Sequence, residues 1–169
     1  FHPLLLLSKA IGHFIVQRPL CRSLFGPVSI SASSSLVARE IIAAHLDAHF
    51  REPSLPSLVR PRRPFRSRLH VAGEVRRLAA LHPSIEELCS LVSDLEPNRR
   101  SIPVLLRQYL NLGGRFLGFN VDPRFAGVLD GLVLVDLLRT SPKALQRHLG
   151  RDGAECFLRF HSSSHARPQ

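Results

Sequence analysis

The stretch that decides the fold is residues 115–138, RFLGFNVDPRFAGVLDGLVLVDLL. Apolar residues alternate weakly with polar ones over 115–121 and form a long run over 129–138. The dipeptide Asp122-Pro123, which is typical of turns, lies between these two segments. The pattern therefore predicts two antiparallel strands joined by residues 122–128.

Helices and one further strand are predicted on both sides of this pair. A change from period-3.6 to period-2 spacing of apolar residues separates the first helix from the strand. Capping serines and helix-ending glycines mark several of the boundaries. The first predicted helix contains residues 4–15 and ends before Pro19. The other predicted helices cover residues 36–50, 71–81, 85–95, 104–112 and 142–149, and the strand covers residues 24–31. The predicted class is mixed α/β, of the α+β kind.

The length of 169 residues, 44% of them hydrophobic, predicts one domain rather than two. We assign residues 1–160 to this domain and expect residues 161–169 to be a disordered tail. The chain starts at Phe1 and contains no Met, so we expect a fragment of a longer protein. Lys9 and His13 interrupt the first apolar segment, which therefore predicts a core helix instead of a membrane span.

The net charge of +10 predicts an anionic partner. Its densest part is the basic, proline-rich connection at residues 52–68, whose four prolines exclude a regular helix. A solvated linker and a surface that binds an acidic partner are both compatible with this composition.

Several common kinds of catalytic site have no motif in this sequence. Phosphate-binding loops, HExxH, GxSxG and the HxxxxD motif of glycerolipid acyltransferases do not occur. The cysteines are widely spaced and form no CxxC pair. His161 and His165 have helical spacing without a third ligand nearby, so no metal site is predicted.

Asn120, Asp122 and Asp130 are the unusual polar residues, because they interrupt two otherwise apolar strands. One interpretation is structural: the two carboxylates shape the turn or pair with Arg107 or Arg124. The other is functional, since a carboxylate attracts an ammonium group and can accept its proton through water.

The serines at residues 33–35 leave a similar choice open. They either cap the helix that follows them or bind an anion at its N-terminus.

Seven segments together resemble the bacterial "putative hemolysin" proteins, which are related to ornithine-acyl carrier protein N-acyltransferases. They are residues 103–110 (PVLLRQYL), 112–115 (LGGR), 118–123 (GFNVDP), 129–132 (LDGL) and 135–137 (VDL), with 24–31 (LFGPVSIS) and 59–62 (VRPR). The resemblance extends to about residue 160. The chain departs from the family pattern at residues 32–34 and 148–149, where Asn-Asp-Tyr and Tyr-Met are usual.

The resemblance implies a GNAT-like mixed sheet flanked by helices, with its N-terminal strands missing from this fragment, which alone should be inactive. It also implies transfer of a 3-hydroxyacyl group to the α-amino group of L-ornithine, giving lyso-ornithine lipid. The donor would be the phosphopantetheine thioester of an acidic acyl carrier protein, or acyl-CoA, with no bound cofactor. The implied location is cytoplasmic, with peripheral contact at the anionic inner membrane. An upstream glycerolipid-type acyltransferase domain is a further implied feature of the parent chain.

The resemblance also implies roles for individual residues. Asp130 and Asp122 would be catalytic. Asn120, Arg107, Tyr109, Ser29 and Ser31 would bind substrate, and Arg60, Arg62 and Arg63 would dock the carrier protein. The alternative function is that of a non-catalytic basic module that binds an anionic lipid surface or nucleic acid. A lytic activity has no support, because the sequence contains no long amphipathic pore-forming helix.

Overall fold

The computed structural model describes residues 3–55, 58–67, 70–98 and 101–164, and these form an α+β structure. Three strands make one sheet: β1 (Ser23–Ile30), β2 (Arg115–Asp122) and β3 (Val128–Asp136). The helices are α1 (Pro3–Gln17), α2 (Leu36–His49), α3 (Ala72–Leu81), α4 (Ile85–Leu95), α5 (Val104–Asn111), α6 (Pro142–Leu149) and α7 (Arg151–Ser164). The mixed α/β class predicted from the sequence is therefore confirmed.

The chain groups into two compact units. The helical unit consists of Phe1–Leu24, Asn111–Gly113 and Val135–Gln169, and the sheet unit consists of Phe25–Leu110 and Gly114–Leu134. The residues that the sequence analysis assigned to one domain, 1–160, are thus divided between two compact units.

The helical unit is built from α1, α6 and α7. Ser141 caps α6 by accepting a hydrogen bond from the Ala144 N–H at 3.4 Å, and Pro142 occupies the first turn, where no N–H is needed. Gly150, at a φ of 78°, ends α6 as predicted. Ile15, Leu145 and Phe157, each 1% exposed, provide the core of this unit.

In the sheet unit, α2, α3, α4 and α5 share one hydrophobic core with the strands, and α2 contacts α3, α4 and β2. Its core cluster contains Val28, Ile30, Leu46, Leu88, Leu106, Phe116, Leu129 and Val133, among other buried apolar residues. Ser84 forms the predicted capping box with Glu87 at the start of α4. The tight turn after α5 depends on Gly113, whose φ of 81° is unfavourable for residues with a Cβ atom.

The strand order is β1-β3-β2, so β3 is the central strand. β2 and β3 are antiparallel, as the sequence predicted, and their register pairs Asn120 with Asp130. An irregularity between Phe116 and Gly118 shifts the register by one residue, as a β-bulge does. On its outer side β2 forms isolated bridges with Arg51, which precedes the connection, and with Pro64 within it.

The structure corrects two sequence-based expectations at the C-terminus. Helix α7, which the sequence analysis did not predict, follows α6 directly and extends to Ser164. Residues 161–164 therefore form the last turn of a helix and not the start of a disordered tail. The buried Phe157 and a 2.8 Å hydrogen bond between His161 Nε2 and the Pro19 carbonyl hold this turn in place. Residues 165–169, including His165, lie outside the described residues.

Candidate functional site

Three of the predicted site residues form a row across the sheet, which we call the polar row: Ser29 on β1, Asp130 on β3 and Asn120 on β2. The Ser29 hydroxyl donates a 2.6 Å hydrogen bond to Asp130 Oδ1. Asp130 is in turn the register partner of Asn120. Side chains of directly opposed residues lie on one face of a sheet and within contact distance. The structure thus brings together residues separated by up to 101 positions in the chain.

The polar row lies on the face of the sheet opposite to the core cluster. Leu129 and Val133 of β3 are buried, and so are Val28 and Ile30 of β1. Successive side chains of a strand point to opposite faces, so Asp130 and Ser29 point away from the core. Ser29 is exposed, and Asp130 and Asn120 are half-buried. A half-buried carboxylate on this face is accessible to a ligand.

The basic connection is attached to the same row. The Arg63 backbone N–H donates a 2.8 Å hydrogen bond to Asn120 Oδ1, and the Val121 N–H donates to the Arg63 carbonyl at 2.9 Å. The Phe65 N–H donates to the Phe119 carbonyl at 3.2 Å. These contacts attach residues 63–65 to the outer edge of β2. They also orient the Asn120 amide so that its NH₂ group is the part left to donate to a ligand.

All three candidate docking residues, Arg60, Arg62 and Arg63, are exposed. The Arg63 backbone is hydrogen-bonded to Asn120 and Val121, so Arg63 lies at the edge of β2 beside one end of the polar row. The described residues of the connection contain no α-helix, which confirms the prediction from its prolines.

Asp122 has the structural role that the sequence analysis left open. Its Oδ1 accepts a 2.8 Å hydrogen bond from the Arg124 N–H and so caps the 3-10 helix Pro123–Phe125. Its carbonyl accepts a 2.8 Å hydrogen bond from the Gly127 N–H. Asp122 thereby shapes the connection between β2 and β3, two residues from Asn120 along the same strand.

Ser31 begins the turn between β1 and α2, and hydrogen bonds within this turn hold it. Its hydroxyl accepts a 3.1 Å hydrogen bond from the Ser33 N–H, and its carbonyl accepts one from the Ser34 N–H at 3.2 Å. The Ser35 N–H donates to Glu96 Oε1 at 2.8 Å. The N–H groups of Ser33, Ser34 and Ser35 thus all have partners within the chain. Ser35 caps α2 through the Ala38 N–H, as the capping interpretation requires.

Arg107 and Tyr109 lie on α5. Tyr109 packs against the core cluster, which covers the face of the sheet opposite to the polar row. Arg107 is exposed. The structure therefore does not bring these two side chains to the polar row, because α5 packs on the inner face.

A second carboxylate on β3, Asp136, differs from Asp130 in its surroundings. The Arg22 guanidinium donates to both carboxylate oxygens, from Nε to Oδ1 at 3.0 Å and from Nη2 to Oδ2 at 2.6 Å. This bidentate hydrogen bonding lowers the pKa of Asp136, and Asp136 raises the pKa of Arg22. Asp136 is thus committed to a structural ion pair. The sequence analysis missed this pair because its members are 114 positions apart.

Comparisons with known proteins leave the family open: no protein-family model, no curated protein and no solved structure matches this chain. Within the described part of the chain, no cluster of three or more histidine, cysteine, aspartate or glutamate residues is arranged to hold a metal ion. Helices long and apolar enough to cross a bilayer are likewise not found among the described residues.

Proposed function

We propose that this protein takes part in an N-acyltransferase reaction in which an acyl group moves from a carrier thioester to an amino group at the polar row. The observation that supports the proposal is the Ser29–Asp130–Asn120 arrangement, which combines a solvated carboxylate with hydroxyl and amide groups on an open face. The family resemblance supplies the specific substrates of the proposed reaction. The donor is 3-hydroxyacyl-acyl carrier protein, the acceptor is the α-amino group of L-ornithine and the product is lyso-ornithine lipid.

Asp130 has two roles in the proposed mechanism. Its charge attracts the substrate ammonium group, and its carboxylate then accepts a proton so that the amine can attack. A free α-amino group has a pKa of about 8, so at neutral pH most of it must lose a proton before it becomes a nucleophile. Ser29 holds one carboxylate oxygen at 2.6 Å and leaves the other to face the amine or an intervening water.

The chemical step forms one bond and breaks one. The amine nitrogen forms a bond to the thioester carbonyl carbon, and the carbon–sulfur bond breaks as the tetrahedral intermediate collapses. Two protons leave the nitrogen: the one that Asp130 takes from the ammonium group is released to solvent, and the one that the nitrogen loses after the attack protonates the leaving thiolate, which becomes the free pantetheine thiol. The Asn120 NH₂ group is placed to donate a hydrogen bond to the developing oxyanion or to the acceptor carboxylate.

The exposed Arg60, Arg62 and Arg63 would dock the carrier protein. Acyl carrier proteins are acidic, and complementary charge increases both the rate and the orientation of association. The Arg63 N–H bonds directly to Asn120, so a carrier bound at these arginines would deliver its thioester close to the polar row. We propose a GNAT-like fold for the complete domain, in which strands upstream of residue 1 would add to the three described here.

The decisive test compares Asp130→Asn with wild type in the full-length protein. We expect formation of acyl-ornithine from 3-hydroxyacyl carrier protein to fall about 10²–10⁴-fold in the variant, the range typical of losing a general base. Mass spectrometry of the products measures the effect.

Asp94→Asn is the matched control, because it makes the same chemical change on an exposed position of α4. It should retain wild-type activity, and circular dichroism should show that both variants fold. A well-folded full-length protein that forms no acyl-amino acid from a panel of amino acids would contradict the proposal. Retained binding to anionic lipid or nucleic acid in that case would favour the non-catalytic basic module.

A further inference from the structure

His45 on α2 is a completely buried histidine at the place where α2 meets α3 and α4. Its side chain has no exposed surface, and among the described residues neither ring nitrogen makes a hydrogen bond of regular geometry. The ring lies 4.8 Å from the ring of His49, one turn further along α2. Buried polar groups normally have hydrogen-bond partners, so a histidine in this state requires an explanation.

The groups around His45 do not favour a positive charge on its ring. The half-buried His49 acts on it from α2 and His82 from the end of α3. On α3, the Ala79 carbonyl accepts a 3.0 Å hydrogen bond from His49 Nε2. Glu87 on α4 is the acidic residue whose charge acts on His45, but its carboxylate belongs to the capping box of α4 and lies 3.8 Å from His82 Nδ1. A proton on His45 would therefore be a buried cation whose compensating carboxylate is engaged elsewhere, which is costly.

Helix α3, which packs on α2 at this point, is held by little buried surface. Val75 and Ala79 are its buried residues, at 8% and 1% exposure. The larger side chains Leu78 and Leu81 are 36% and 75% exposed. Val71, at the N-cap position, has no side-chain group that could cap the helix. Segments with few buried apolar contacts open at a lower free energy than the core, so α3 can open by itself.

Helix α4, which follows α3 after residues 82–84, is held more firmly. Leu88 and Val92 are 1% and 2% exposed and belong to the core cluster. The capping box that Ser84 begins fixes the first turn of the helix. Pro83 prevents α3 and α4 from forming one continuous helix. Residues 82–84 thus connect a weakly held helix to a firmly held one, as a hinge does.

We propose that α3 is a pH-sensitive flap: protonation of His45 in mild acid releases α3 from α2, while α4 and the sheet stay folded. Residues 82–84 are the hinge. Opening brings water to His45, which solvates the charged ring. At neutral pH the ring is uncharged and the flap is closed. The proposal does not depend on the acyl-transfer reaction, because its residues belong neither to the polar row nor to the basic connection.

Hydrogen exchange of the backbone amides, measured by mass spectrometry of peptides from the full chain, tests the proposal. The exchange rate of each peptide is divided by the rate of the same peptide without structure, which gives its opening equilibrium constant at pH 7 and at pH 5. Burial holds the pKa of His45 at about 4 in the closed form, against 6.5 for an exposed ring, so the open form gains protons first as the pH falls below 6.5. The opening constant of α3 should therefore rise about 20-fold from pH 7 to pH 5. At pH 5, α4 and β3 should still be about tenfold or more better protected than α3.

Substitutions separate the titration of His45 from the docking of α3. His45→Phe removes the titratable group and should abolish the pH response of α3, and His45→Gln is a smaller neutral replacement if phenylalanine does not fit the site. His70→Gln, at an exposed position just before α3, is the matched control and should keep the wild-type response. Val75→Ala weakens the docking alone, so it should raise the opening constant roughly tenfold at both pH values and leave their ratio unchanged.

Two results would overturn the proposal. One is an equal opening constant for α3 and α4 at pH 5, which would mean that the sheet unit unfolds as a whole. The other is a pH response of α3 that persists in both His45 variants, which would assign the acid sensitivity to other groups such as His49 or His82.

Discussion

At the scale of single residues, His45 is the side chain whose ionisation the fold controls most strongly. It has none of its surface exposed, and its ring lies 4.8 Å from that of His49. Neither ring nitrogen makes a hydrogen bond of regular geometry among the described residues, and the backbone of Ala79 and His82 only partly opposes the effect of burial on its pKa. Burial, with a smaller contribution from His49, lowers the pKa of His45 from 6.5 to about 4. His45 is therefore neutral in the folded protein at neutral pH.

This shift predicts a loss of stability in mild acid. Between pH 6.5 and about 4 the unfolded chain binds a proton at His45 and the folded chain does not, so the free energy of unfolding falls as the pH falls. The expected loss across this range is about 3 kcal/mol. Urea unfolding at a series of pH values measures it.

Substitution of His45 by Phe should flatten this pH dependence, because the buried titratable group is gone. His70→Gln, at an exposed position, is the control and should keep the wild-type slope. An equal slope in His45→Phe and wild type would mean that other groups cause the acid sensitivity.

At the scale of elements, the close contact between α1 and α6 depends on the absence of a side chain at Gly12. We expect Gly12→Ala to lower the free energy of unfolding by about 1–3 kcal/mol, because the added methyl group would overlap the His148 carbonyl and force the helices apart. Equilibrium unfolding in urea measures the change.

Gly73→Ala in α3 is the matched control, since nothing lies within 4 Å of its added Cβ atom. It should leave stability unchanged or raise it by up to about 1 kcal/mol, as glycine is a poor helix former. If Gly12→Ala has the same free energy of unfolding as wild type, α1 and α6 can move apart without loss of stability, which would contradict the prediction.

The sequence predicted most elements correctly because their signals are local. Ser35, Ser84 and Ser141 mark helix starts through bonds to N–H groups three residues away. Helix α7 was missed because Gly150 precedes it and Gly153 lies within its first turn, and glycine ordinarily indicates the end of a helix. Gly153 is tolerated because its missing side chain leaves room for Val16 of α1, a tertiary contact that no local pattern reveals.

At the scale of the whole molecule, the net charge of +10 implies repulsion among exposed arginines. Added NaCl at neutral pH should therefore raise the melting temperature, because it screens this repulsion. Thermal unfolding over a range of salt concentrations tests the prediction.

A fall in melting temperature would instead mean that favourable ion pairs dominate the electrostatic free energy. The exposed pairs Arg51–Asp47 and Arg151–Glu155 are ordinary surface contacts, each contributing about 0.2–1 kcal/mol. Arg22–Asp136 is the bidentate pair, and Arg22→Gln would show its share of the salt response.

The candidate site could be predicted only in part, because it depends on contacts across the whole chain. The polarity of Asn120 and Asp130 within apolar strands was visible in the sequence, and their proximity followed from the predicted hairpin. Ser29 and Arg63 reach the row through the sheet order and an edge contact, which sequence spacing does not determine. Tyr109 was predicted to bind substrate, but its ring packs against the core, which the periodicity of the sequence alone did not show.

The edges of the sheet have a consequence for how the protein behaves at high concentration. The order β1-β3-β2 leaves two edge strands, and unpaired edges are templates for aggregation. β2 is bridged by Arg51 and Pro64, and the exposed arginines beside Pro64 repel a second chain. β1 contains Pro27, which has no N–H to donate to an incoming strand. Both edge strands are thus poor templates for fibrils. Proteolytic cleavage of the arginine-rich connection would uncover the edge of β2.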